Sequence, residues 1–265
     1  MTTRTSRWPA GIPCWADVSA PDVEAARAFY GAVLGWSFQE TGEEYGGYVL
    51  AEVRGRAVAG IGPAQGDQPP AWTLYLASDD ADATAAAVGE SGGTVVMPPM
   101  DVGALGRMLI ASDPSGGVFG VWAAGEHIGA SLVNEPGGLA WEDLRSTDPA
   151  AARAFYGAVF GYEFHALEAA GPDYRLFHLP GDPAPLGGMG GMFGAPEGTP
   201  SHWLVYFNVA GADAAAEAAS GSGGQVLAPP FDTSFGRMGA LADPAGAVFW
   251  IAQPTPDQPL PDRSG

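Results

Sequence analysis

The chain has 265 residues, 46% of them hydrophobic and 15% charged, a globular composition long enough for two ordinary domains. Its formal charge of −19 repels phosphate backbones and anionic membrane surfaces, which sets nucleic acid and lipid aside as partners. All 11 basic residues are arginines, leaving no lysine for Schiff-base or phosphate-loop chemistry, and the single Cys14 leaves no disulfide framework or multi-cysteine zinc site.

Met1 to Pro9 lacks the apolar core of a signal peptide and no run approaches membrane-spanning length, so a cytoplasmic location is expected. Residues 14–18 alternate as a short strand. Asp22 stands where an N-cap belongs, and Val23, Ala26, Tyr30, Val33 and Leu34 form a helical apolar stripe that Gly35 closes. Strand-like runs follow near 36–40, 45–53 and 57–62. The order then returns, with a strand over 72–77, an alanine-rich helix over 79–90, and strands near 94–99, 105–111 and 117–122. The second half mirrors it, with a strand over 140–144, a helix over 149–160 between Asp148 and Gly161, a strand over 203–209, a helix over 212–220, and strands to Ile251.

The halves repeat in detail. Ala26 to Val33 recurs unchanged as Ala152 to Val159, and Gly106-Arg107-Met108 with Asp113-Pro114 returns as Gly236-Arg237-Met238 with Asp243-Pro244. Each half holds two modules ordered strand, helix, three strands. One βαβββ module is too small to bury both faces of its sheet, so modules must pair. The expected fold is α+β: four modules paired into two curved eight-stranded cups, helices outside and a concave face inside. The domains run 10–123 and 139–253, each large enough for its own core, with a Gly-rich linker over 124–138 and a loose tail over 254–265.

These residues resemble the vicinal oxygen chelate superfamily of glyoxalases, bleomycin resistance proteins and extradiol dioxygenases. Phe29-Tyr30 before Val33-Leu34-Gly35, and Phe155-Tyr156 before Val159-Phe160-Gly161, are similar to its helix signature. Asp113-Pro114-Ser115-Gly116 and Asp243-Pro244-Ala245-Gly246 are similar to its turn into the last strand of a cup. In particular the chain resembles duplicated actinobacterial members called glyoxalase-like proteins or hydroxylases. The resemblance implies the fold and leaves the chemistry open.

Metal-using members of that family place His, Glu or Gln on the first and last strands of paired modules. Here those positions fall at or near Trp15, Trp72, Trp141 and Trp203, at Gly120 and Trp250, and at Gly60-Ile61 and Gly188-Met189. None carries a metal ligand. The histidines do not replace them: His127 lies in the linker, and His165 and His178 lie in strands as ordinary surface or edge residues. His202 borders a ligand position without partners. No metal and no other cofactor is expected.

Strand alternation puts Trp15 and Asp17 on the concave face, and Trp141 and Asp143 repeat them. An aromatic ring beside a carboxylate suits an aromatic or cationic ligand, and a desolvated carboxylate there suits general acid–base work. The plain alternative is a structural ion pair with Arg107 or Arg237. Trp72, Tyr75, Arg107, His202, Trp203, Tyr206, Arg237 and Trp250 complete the candidate ligand-binding set. Cys14 reads as a small buried hydrophobe, and the run Gly187 to Met192 as a strand whose methionines wall the second cup. Three functions follow from these residues: binding a small planar organic molecule without metal, in sequestration, resistance or secondary metabolism; proton-transfer catalysis by Asp17 or Asp143; or a metal-dependent lyase or dioxygenase. The partner is a small molecule, and the protein is a monomer or homodimer.

Overall fold

The computed structural model describes residues 2–66 and 68–255. After a short strand β1 (Thr2–Thr3), the first module runs β2 (Pro13–Ala20), α1 (Val23–Leu34), β3 (Ser37–Glu40), β4 (Val49–Val53) and β5 (Arg56–Pro63). The second runs β6 (Ala71–Ser78), α2 (Ala81–Glu90), β7 (Thr94–Val102), β8 (Gly106–Ser112) and β9 (Val118–Ala124). A two-residue strand, β10 (Leu132–Val133), lies in the connection between the halves. The third module comprises β11 (Leu139–Arg145), α3 (Pro149–Phe160), β12 (Glu163–Ala166), β13 (Arg175–His178) and β14 (Gly187–Gly190). The fourth comprises β15 (His202–Asn208), α4 (Ala212–Gly221), β16 (Gln225–Thr233), β17 (Gly236–Ala242) and β18 (Val248–Gln253). The expected run 45–53 is a strand only from Val49, because Glu43–Tyr45 makes a 3-10 turn ahead of it.

Local chemistry explains the two long helices. Asp22 and Asp148 each accept a hydrogen bond from the backbone N–H three residues on, at 3.0 Å, satisfying a donor the helix itself cannot. Gly35 and Gly161 end them at φ 71° and 73°, a left-handed conformation that costs glycine nothing.

Each half forms one open mixed sheet, in the orders β3-β4-β5-β2-β6-β9-β8-β7 and β12-β13-β14-β11-β15-β18-β17-β16. Modules join antiparallel through β2 with β6 and through β11 with β15. Helices lie on the convex face of each sheet, as expected, each with an exposed stripe, as at Glu24 and Ala28 of α1, and a buried one turned toward the other half. The convex faces meet: α1 packs on α4 and α2 on α3. Phe29 sits 6.1 Å from Phe249, Trp36 5.2 Å from Phe207, and Phe119 6.0 Å from Phe155. The expectation of a separate core in each half is therefore corrected, since one apolar cluster runs through both. A fully buried Phe side chain stabilises by about 1.5–3 kcal/mol, and parting the halves would expose several.

The linker is also tied down. Ala130 N–H donates to the Cys14 carbonyl at 2.7 Å, Ser131 N–H to Ala57 at 2.8 Å, and β10 pairs with β1. Ala130, Leu132 and Val133 are buried. The expected loose tail falls almost wholly outside the described residues. Among those residues no helix is long and apolar enough to cross a membrane.

Candidate functional site

The concave face of the second sheet encloses a cavity of about 550 Å³ whose walls are mostly aromatic: Trp141, Tyr174, Phe193, Tyr206, Phe231 and Trp250. Met238, Phe235 and Leu176 add apolar surface, and Asp143 and Arg145 form one polar corner. Trp141, Asp143 and Arg145 alternate along β11, so the pleat aims all three into the cup. Tyr206 and Trp250 lie on adjacent parallel strands, paired in register, with ring centroids 5.4 Å apart.

Asp143 is buried and fully occupied. Its Oδ1 accepts from the Tyr174 hydroxyl at 2.6 Å and from Trp141 Nε1 at 3.0 Å. Its Oδ2 accepts from the Tyr206 hydroxyl at 2.9 Å and from Arg145 Nη2 at 3.0 Å. A carboxylate offers about four lone-pair sites, and here four donors take them. Both hydroxyls stay protonated, because burial and the Asp143 charge hold them well above the ordinary tyrosine range.

The first cup carries the counterparts Trp15, Asp17, Tyr48 and Tyr75, yet differs. Asp17 accepts from the Tyr48 hydroxyl at 3.1 Å, and Tyr48 in turn accepts from Trp15 Nε1 at 2.9 Å. Ser19 stands where the second cup has Arg145, so among the described residues no cation pairs with the carboxyl. Burial pushes Asp17 up to about 7, partly offset by hydrogen bonds from Tyr75 and Tyr48. His127 packs edge-on against Trp15 at 4.5 Å and Trp122 at 5.7 Å, and Trp122 Nε1 donates to its carbonyl at 2.8 Å. Its backbone N–H is pinned to Leu105 at 3.1 Å. The linker thus lays an imidazole into the first concavity. Trp122 itself occupies the position that is Ala252 in the second cup.

Several expectations require correction. Trp72 and Trp203 line neither cup; they lie on the convex side, where Trp72 Nε1 donates to the Tyr30 hydroxyl at 3.2 Å and Trp203 Nε1 to Tyr156 at 2.9 Å. Strand parity forbids Trp72 and Tyr75, three residues apart, from sharing a face. Arg107 and Arg237 pair with neither Asp17 nor Asp143. Arg107 binds Asp82 and Asp101, and Arg237 binds Asp213 and Asp232, each tying its helix to the edge of its sheet. His202 bonds the Pro200 carbonyl at 2.8 Å beside the cup, outside the cavity lining. His127 and His178 are not surface residues: burial lowers the basicity of both rings, His127 to about 4. Met189 is fully buried in the core and walls no cup; Met238 does so instead.

The fold family's metal positions do not fit an ion. Gly60 and Gly188 are there because Tyr48 and Tyr174 lie across them, and a Cβ at either would overlap the tyrosine hydroxyl. Gly120 similarly underlies the Tyr75 ring. Among the described residues no three His, Cys, Asp or Glu side chains converge as a metal site, and the lone pairs of Asp143 are spent. Sequence reasoning passed over Arg145, although its place two residues after Asp143 on an alternating strand put it on the same face. Phe193, Phe231 and Phe235 come from loops and an edge strand, where spacing gave no signal.

The chain is 43% identical over 263 residues to the Mycobacterium tuberculosis protein named "Putative glyoxylase CFP32", spanning 96% of this chain and 99% of that one. It is 36% identical over 264 residues to the anthracycline biosynthesis protein DauV of Streptomyces sp. strain C5, spanning 94% and 95%. Its fold matches the Mn(II)-bound glyoxalase from Novosphingobium aromaticivorans at TM-score 0.66, with 17% identity over 92% of this chain and 82% of that one. The 2,3-dioxygenase LapB from Pseudomonas sp. KL28 matches at 0.64, with 18% identity over 95% and 97%. At these identities the two structures speak for the fold alone. The sequence profile of the Glyoxalase/Bleomycin resistance protein/Dioxygenase superfamily matches residues 15–121 and again 126–251, and the chain belongs to that superfamily as a tandem duplicate.

Proposed function

We propose that the second cup binds a small, planar aromatic molecule directly, without an intervening metal ion, in secondary metabolism or resistance. The observation that carries this reading is the cavity of about 550 Å³ walled by seven aromatic rings. Its size suits a small-molecule site, where roughly 300–1,000 Å³ is usual, and flat rings reward stacking. The kinship with DauV, named for anthracycline biosynthesis, accords with an aromatic ligand. Binding is favoured over proton-transfer catalysis because Asp143 has no lone pair left to take a proton from a substrate. The first cup is read as structural, its concavity taken by His127 and Trp122.

Titrating the protein with 9-fluorenone while following tryptophan emission tests this reading. Saturable quenching that is unchanged by chelator, and much reduced by Trp250→Ala, is expected. Absence of saturation, or binding that needs added Mn(II) or Fe(II), would count against it.

A further inference from the structure

Arg145 is the least expected group in the second cup. Its guanidinium donates one Nη2–H to Asp143 at 3.0 Å and lays its face over Phe193, 4.6 Å from the ring centroid. The side chain is 19% exposed and lines the cavity. A guanidinium has five N–H donors. Among the described residues the only acceptor that Arg145 meets is Asp143, so the Nε and Nη1 hydrogens face no protein partner.

A molecule that fills the cup takes water away from those hydrogens. If it offers them nothing, charged donors are buried unsatisfied, one of the costlier outcomes of binding. If it carries an oxygen acceptor at that corner, the same hydrogens become charge-assisted hydrogen bonds. The other member of the corner cannot act as a second reader. Asp143 already accepts four hydrogen bonds and its charge is answered by Arg145, so a ligand ammonium or N–H finds no free acceptor. The remaining walls are hydrocarbon and ring faces.

We infer that Arg145 sets the chemical class of the ligand: a planar aromatic bearing a carbonyl, phenolate or carboxylate oxygen, seated with that oxygen on the free edge of the guanidinium. The Phe193 ring beneath the guanidinium, together with the bond to Asp143, holds the group in place at the cavity wall. The first cup, with Ser19 at this position, has no such reader. The inference rests on the binding reading of the second cup and adds the polar group that this cup selects.

Three flat probes of one size separate the possibilities: fluorene, 9-fluorenone, which differs by a single carbonyl oxygen, and the cation 9-aminoacridine. Equilibrium dialysis gives each affinity. Fluorene is the more hydrophobic, so burial alone would favour it. The inference expects 9-fluorenone to bind about tenfold or more tightly than fluorene, the scale of one charge-assisted hydrogen bond, and 9-aminoacridine to bind no better than fluorene. In the double variant Asp143→Asn/Arg145→Met, which leaves no lone charge in the corner, the preference for the ketone should vanish while fluorene still binds. Equal binding of fluorene and 9-fluorenone by the unaltered protein, or a preference for 9-aminoacridine, overturns the role of Arg145 and leaves the aromatic cup standing. Failure of all three probes overturns the cup itself. The comparison on the unaltered protein decides the matter even if the double variant does not fold.

Discussion

The Tyr30 hydroxyl donates to Asp243 Oδ2 at 3.0 Å across 213 residues of sequence. Tyr30 belongs to the helix motif of the first half and Asp243 to the turn motif of the second. Asp243 spends its other oxygen on the N–H groups of Ala245 and Ala247, both at 2.9 Å, which shapes the turn into β18. Tyr30 also accepts from Trp72 Nε1. Tyr156 faces Asp113 in the reciprocal arrangement, and its nearness to that carboxylate adds to burial in keeping the phenol neutral. The two most repeated motifs of the chain thus recognise each other between halves, which explains why both recur.

Tyr30→Phe should cost about 2–3 kcal/mol, because it strands a buried carboxylate oxygen and a buried indole N–H. Urea denaturation monitored both by tryptophan emission and by far-ultraviolet circular dichroism checks this. One shared core predicts a single coincident transition in the parent protein. Two separated transitions would show that the halves fold alone.

Acid behaviour should expose the first cup. Asp17 has a raised pKa, so between about pH 4 and 7 the folded chain holds more protons than the unfolded one, and this group's contribution to stability falls as pH rises. His127 is depressed from 6.5 to about 4, so its contribution is present above about 6.5 and is lost as pH falls toward 4. The two slopes oppose each other within one cavity. Relative to the parent, Asp17→Asn should gain stability as pH rises from 4.5 to 7, by roughly 1–2 kcal/mol after allowance for partial exposure. His127→Asn should show the opposite trend. Melting temperatures across that range decide, and parallel profiles for parent and variants would refute the assignment.

Asp143→Asn tests how the second cup is braced. The substitution removes the charge that answers Arg145 and leaves four donors crowding a neutral amide, which should cost about 3 kcal/mol of stability. Tyr206→Phe, which deletes one of the four bonds, should cost about 1–2 kcal/mol. Equilibrium unfolding measures both, and a neutral Asp143→Asn would mean that the carboxylate is not the keystone of the cup floor.

The legibility of this molecule divides along physical lines. The modules could be read because helix caps, left-handed glycines and a repeated octapeptide are local features. The pairing Trp15 with Asp17, and Trp141 with Asp143, followed from alternation alone. Arg145 obeyed the same rule and was passed over, whereas Trp72 and Trp203 were assigned to cups against it. Arg107 and Arg237 recur for a reason that alternation also supplies: they face their helices and bind Asp82 and Asp213 in the first turns. What alternation could not show was the joining of the convex faces through the buried sides of the helices, or the fold of the linker that carries His127 into the first cup. Those depend on tertiary contacts between different modules and the linker, which strand parity does not encode.

The difference between the cups is the centre of this account, and a crystal structure of the protein grown with 9-fluorenone measures it most directly. Ring density against Tyr206 and Trp250, its oxygen on Arg145, with His127 still lying on Trp15, is the predicted result. Density in the first cup with His127 displaced, or a cation bound at Asp143, would contradict it.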